Sequence, residues 1–79
     1  MVNSEDFKKW LKENTKYSDA VICDIASRIR RADSILEWND TETYIFYLEK
    51  EKNFGSLSVS VRSQIRKAVK LYSAYVGKN

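Results

Sequence analysis

The stretch Ser58-Val59-Ser60-Val61-Arg62-Ser63-Gln64-Ile65-Arg66-Lys67-Ala68-Val69-Lys70-Leu71-Tyr72-Ser73-Ala74-Tyr75-Val76-Gly77 decides the fold. Val61, Ile65, Ala68, Val69, Tyr72, Tyr75 and Val76 fall on one side at helical spacing, which predicts an amphipathic helix over Val59–Val76. Ser58 stands where a cap is needed and Gly77 where the helix should stop. The opposite side reads Ser63, Arg66, Lys70 and Ser73, flanked by Arg62 and Lys67, with no acid anywhere in the segment. Such a helix buries its apolar stripe only against other elements, so the rest of the chain must supply them.

Upstream, the same periodicity predicts three more helices. The longest runs over about Asp19–Glu37, capped by Ser18, with Val21, Ile22, Ile25, Ile29, Ala32, Ile35 and Leu36 in a core stripe. Its outer face carries Cys23, Asp24, Ser27, Arg30, Arg31 and Ser34. A first helix over about Glu5–Asn14, capped by Asn3 or Ser4, turns Phe7, Trp10 and Leu11 one way and Lys8, Lys9 and Lys12 the other. A third, over about Thr41–Lys52 after a break at Asn39-Asp40, points Tyr44, Ile45 and Leu48 inward and Glu42, Glu49 and Lys50 outward. Phe46 lands near its polar side, which packing within one helix does not explain. Asn53-Phe54-Gly55-Ser56 reads as the clearest loop. With 79 residues, no proline and two glycines, the chain predicts one all-α domain over residues 1–79, a compact four-helix bundle.

Composition excludes several functions. No histidine and one cysteine leave no ordinary zinc site and no histidine-activated nucleophile. Glu49 and Glu51 are two apart and diverge on a helix, so no acid–base pair follows from them. The reading is therefore no enzyme, no metal, no cofactor and no small-molecule substrate. No apolar run approaches the roughly 20 residues of a membrane helix, and the acidic start Ser4-Glu5-Asp6 lacks the apolar core of a signal peptide. A lone cysteine fits a reducing compartment, so a cytoplasmic chain is expected.

Charge then indicates a partner. The 11 acids all precede Lys52, whereas Lys52, Arg62, Arg66, Lys67, Lys70 and Lys78 follow with no acid among them. Arg66 and Lys70, one turn apart, stand about 6 Å from each other and are expected to be solvent-exposed. Ser63 and Ser73 beside them suit phosphate oxygens. The alternative is an ordinary solvated face, although such faces usually mix both signs. Ser27-Arg28-Ile29-Arg30-Arg31 is the second basic element, with Asp24, Asp33 and Glu37 near enough in sequence to pair with it. Arg28, at the stripe edge, is a candidate partner for a partly buried carboxylate. Most of the ten aromatic residues sit at core spacing rather than as stacking platforms for single strands.

The order Phe7-x-x-Trp10-Leu11, Ser18-x-x-Val21 opening a long helix, a tyrosine-rich third helix, then Ser58-Val59-Ser60-Val61-x-x-Gln64-Ile65-Arg66-Lys67-x-x-x-Leu71-Tyr72-x-x-Tyr75 resembles the N-terminal SAM-like core-binding domain of phage integrases and other tyrosine recombinases. The resemblance spans about Asp6 to Val76. It implies a SAM-like four-helix domain that clamps one side of double-stranded DNA, with its second and fourth helices toward the major groove. Carried over by position, it implies DNA contacts from Ser18, Ser27, Arg31, Ser58, Ser60, Arg62, Ser63, Arg66, Lys67 and Lys70. The strand-exchange residues of that family belong to a separate C-terminal catalytic domain, expected in a parent protein. The expectation is a non-catalytic duplex-DNA-binding module for DNA integration or recombination. The competing one is a small helical protein-interaction module, an adaptor or phage effector, anchored by Trp38, Phe46 and Phe54.

Overall fold

Helices form where the apolar stripes predict them, and their ends are set by specific side chains. A computed structural model describes residues 2–39 and 43–77. The helices are α1 (Ser4–Asn14), α2 (Asp19–Ile35), α3 (Tyr44–Glu49), α4 (Lys52–Gly55) and α5 (Val59–Gly77). No strand occurs among the described residues, and the chain is an all-α bundle. Asp40, Thr41, Glu42 and Lys78, which enter the expectations above, lie outside the described residues.

Asn3 starts α1: its Oδ1 accepts from the Asp6 backbone N–H at 3.1 Å, while its amide donates to the Asp6 carboxylate at 3.0 Å. Ser18 and Ser58 cap α2 and α5, accepting from Val21 N and Val61 N at 3.3 and 3.2 Å. The second helix ends at Ile35 rather than Glu37. The Asp33 carboxylate accepts from the Trp38 backbone N–H at 2.8 Å and turns the chain back. The Tyr44 hydroxyl reaches the Leu36 carbonyl, with the Ala32 carbonyl at 3.1 Å, and ties off the same helix end. Burial, and secondly the Asp33 charge, raise the Tyr44 phenol from 10.0 to about 12.

The third helix begins at Tyr44 and stops at Glu49. The loop expected at Asn53–Ser56 is instead mostly the single turn α4. Its cause is Phe54, which is fully buried: a turn of helix aims the ring inward while pairing Gly55 N with the Glu51 carbonyl at 3.0 Å. Gly55 consequently needs no left-handed backbone, and no described glycine has positive φ.

One core joins the helices. Phe7 and Leu11 of α1, Ile22, Ile25, Ile29 and Ala32 of α2, Tyr44 and Leu48 of α3, Phe54 of α4, and Ile65, Ala68, Val69 and Tyr72 of α5 are all buried in it. An aromatic chain runs through it: Phe7 meets Tyr72 edge-on at 5.0 Å, Tyr72 meets Trp38 at 4.8 Å, and Trp38 meets Tyr44 at 4.7 Å. Val21, expected on the core stripe, is 39% exposed. It faces the seam between α2 and α5 rather than the centre. With extents of 34 × 25 × 15 Å the molecule is flattened.

Candidate nucleic-acid interface

Packing α2 against α5 leaves a groove between them of about 200 Å³, lined by Val21, Asp24, Ile25, Arg28, Gln64 and Lys67. Arg28 Nε donates to Gln64 Oε1 at 2.8 Å and bridges the two helices. In place of the carboxylate considered for it, Arg28 thus has a neutral amide from the facing helix as its partner. Asp24, one turn before Arg28, makes no ion pair among the described residues.

On the α5 side the outer ridge consists of Ser60, Ser63, Lys67 and Lys70, all exposed. Lys67 Nζ lies 5.0 Å from the centre of the Tyr17 ring, a contact that holds the ammonium beside the groove. Neither Lys67 nor Lys70 has a carboxylate partner among the described residues. On the α2 side Ser27 and Arg31 are exposed, and neither Arg30 nor Arg31 is paired with Asp24. Asp33 is committed elsewhere, accepting from the Trp38 and Val2 backbone N–H groups.

The expected residues do not all behave alike. Arg66 was expected to be solvent-exposed beside Lys70. Its side chain is instead 36% exposed, its Nε donates to Glu49 Oε1 at 2.6 Å, and its guanidinium lies 5.8 Å from the Phe54 ring centre. The acid that partly neutralises it comes from α3, so scanning α5 alone could not reveal it. Arg62, one turn earlier on the same edge, is partly buried, and its Nε is buried without a partner among the described residues. Ser18 and Ser58 already use an oxygen lone pair on their own helices, which leaves each a hydroxyl hydrogen to donate. The ten positions therefore divide. Ser27, Arg31, Ser60, Ser63, Lys67 and Lys70 are presented outward, Arg62 and Arg66 are drawn toward the bundle, and Ser18 and Ser58 hold helix ends.

Lys8 and Lys12 pair with Glu5 and Asp19 at 3.7 and 3.3 Å, so α1 offers less free charge. Of the aromatic anchors considered for a protein partner, Phe54 is buried and Trp38 packs on the core. Phe46 remains at 50% exposure, beside Tyr47 at 55%, with Lys50 Nζ 4.2 Å over its ring. No described group of three or more metal-ligating side chains could hold a metal ion, and no described helix is long and apolar enough to cross a membrane. The chain matches no family model, no curated protein and no solved structure.

Proposed function

We propose that this chain is a non-catalytic module that binds double-stranded DNA through the outer faces of α2 and α5, in the manner of the core-binding domain its sequence resembles. The supporting observation is the ridge Ser60, Ser63, Lys67 and Lys70, which presents hydroxyl donors and cations with no acid on the helix that carries them. Phosphate recognition asks for that set: positive charge for affinity and short donors for register. Arg31 and Ser27 extend it on α2. A catalytic domain in a parent protein would then perform strand exchange, with this chain supplying the grip.

The test is titration of a labelled duplex across a salt series. Binding whose affinity falls steeply and linearly on a log–log plot supports the reading. No duplex binding at low salt would overturn it. The second reading, a protein-interaction module, draws on Phe46 and Tyr47, two large aromatic residues left half in water on α3. It would gain from that result.

A further inference from the structure

The core takes Tyr44 and Leu48 from α3, which at helical pitch turns Phe46 to the opposite side of the helix. Phe46 is 50% exposed and Tyr47 beside it 55%, and their rings meet edge-on with centroids 5.5 Å apart. Single exposed hydrophobic residues are ordinary, but two large rings in contact form a patch. Glu49 leaves α3 on the flank that meets α5, where it accepts from Arg66. Tyr47 lies on the other flank, so the patch is set apart from the ridge of α5.

A cation stands at the edge of this patch. Lys50, one turn after Phe46, holds its Nζ 4.2 Å over the Phe46 ring centre. It has no carboxylate partner among the described residues. Glu49 is engaged by Arg66, and Glu51 is partly buried at the start of α4. The ring holds the ammonium in place, which reduces the entropy lost when it pairs. Two apolar rings beside a placed cation are complementary to a large apolar side chain beside a carboxylate.

Area decides the size of the occupant. Half-exposed as they are, the two rings leave about 200 Å² to bury. A stable protein–protein interface takes about 800 Å² from each partner. The patch by itself is therefore too small to hold two copies of the chain together, and it matches a short segment with one apolar anchor.

We infer that Phe46, Tyr47 and Lys50 dock a short acidic segment of another protein, its apolar side chain packing on the rings and its adjoining carboxylate accepting from Lys50 Nζ. The inference goes beyond duplex binding and does not depend on it, because the patch holds none of the ridge residues. It gives the aromatic pair of the second reading a partner chemistry.

The experiment is selection from a random short-peptide library with the intact chain and its Phe46→Ala variant as parallel baits, followed by fluorescence-anisotropy affinities of the enriched peptides. Peptides selected by the unmodified chain alone should share an aspartate or glutamate next to a leucine, isoleucine or aromatic residue. Phe46→Ala should weaken them about 10- to 30-fold, the effect of losing one central anchor. Lys50→Gln should weaken them about 2- to 5-fold, the range for an exposed ion pair, and should have no effect once the peptide's acid is replaced by its amide. Both side chains are exposed, so thermal melts of the variants should coincide with that of the unmodified chain. Peptides bound equally by both baits report diffuse charge attraction and overturn the inference. So does a selection that enriches nothing, or one that enriches peptides without an acid. Sedimentation showing dimers of the chain alone that Phe46→Ala dissolves would assign the patch to a second copy and overturn it too. Duplex binding or its absence leaves this inference unaffected.

Discussion

Arg66 of α5 donates its Nε–H to Glu49 of α3 at 2.6 Å, so the cation at the centre of an acid-free helix is partly neutralised from a different element. The pair is a third or more exposed on both sides, which limits its contribution to stability to about 1 kcal/mol or less. Its larger consequence is for charge. Among the described residues, Lys67 and Lys70, rather than Arg66 and Lys70, are the ridge cations without a carboxylate partner.

Replacing Lys67 and Lys70 together by alanine should weaken binding to all duplexes. If about four phosphates are contacted, the log–log salt slope of the unmodified chain is near −3.6, and losing two contacts reduces its magnitude by about 1.8. Stability should change by no more than about 1 kcal/mol, since both side chains are exposed and Lys67 loses only its contact with Tyr17. Alanines at Lys8 and Lys12 should alter the slope much less, because those lysines already have acidic partners. Equal losses from the two pairs would indicate diffuse attraction instead of a docked helix.

Glu49→Gln should act in the opposite direction. It removes the charge that restrains Arg66 and adds net positive charge beside the ridge. Duplex affinity should rise, with a melting temperature lower by at most a few degrees. An affinity that falls would show that Arg66 works through its pairing with Glu49.

Ser18→Ala and Ser58→Ala separate two roles that the sequence could not. Both hydroxyls cap helices, so each substitution should cost about 1 kcal/mol of stability, which in a domain of this size lowers Tm by roughly 4–8 °C. The salt slope of duplex binding should change little, as no charge is lost. A large binding loss with unchanged Tm would assign these serines to phosphate contact.

Phe54→Ala should be among the most damaging single changes outside the long helices, costing about 3–5 kcal/mol. The ring is 1% exposed, and removing it leaves a cavity in the common core. Thermal melting by circular dichroism measures this. A loss below about 1 kcal/mol would mean that α4 contributes little to the core.

Alkaline pH should destabilise the fold through Tyr44. Its phenol is raised from 10.0 to about 12 in the folded chain, so between those values the folded state retains a proton that the unfolded state has lost. Stability is unaffected below pH 10 and declines as pH rises toward 12, by on the order of 2 kcal/mol. Tyr44→Phe should flatten that decline while lowering stability at neutral pH, because the Leu36 carbonyl loses its donor. Denaturant midpoints at pH 8 and pH 11 test both parts.

The four long or short helices carrying Phe7, Ile25, Leu48 and Ile65 follow from spacing alone, because burying an apolar stripe at helical period is a local property of the chain. Ser18 and Ser58 mark helix starts for the same reason: a cap bonds to a backbone group three residues away. Residues far apart in sequence behave differently. Phe54 sits in a polar, glycine-containing segment that reads as a loop, and only the core assembled from the other helices turns it into a helix with a buried ring. The partnership of Arg66 with Glu49 spans 17 residues and that of Arg28 with Gln64 spans 36. Neither leaves a trace in local patterning, since each depends on how one helix is rotated and shifted against another. The sequence by itself determined an all-α chain with a basic, acid-free last helix. Tertiary packing decided which of those charges remain free, and it set Asp24, Arg28 and Gln64 around one groove.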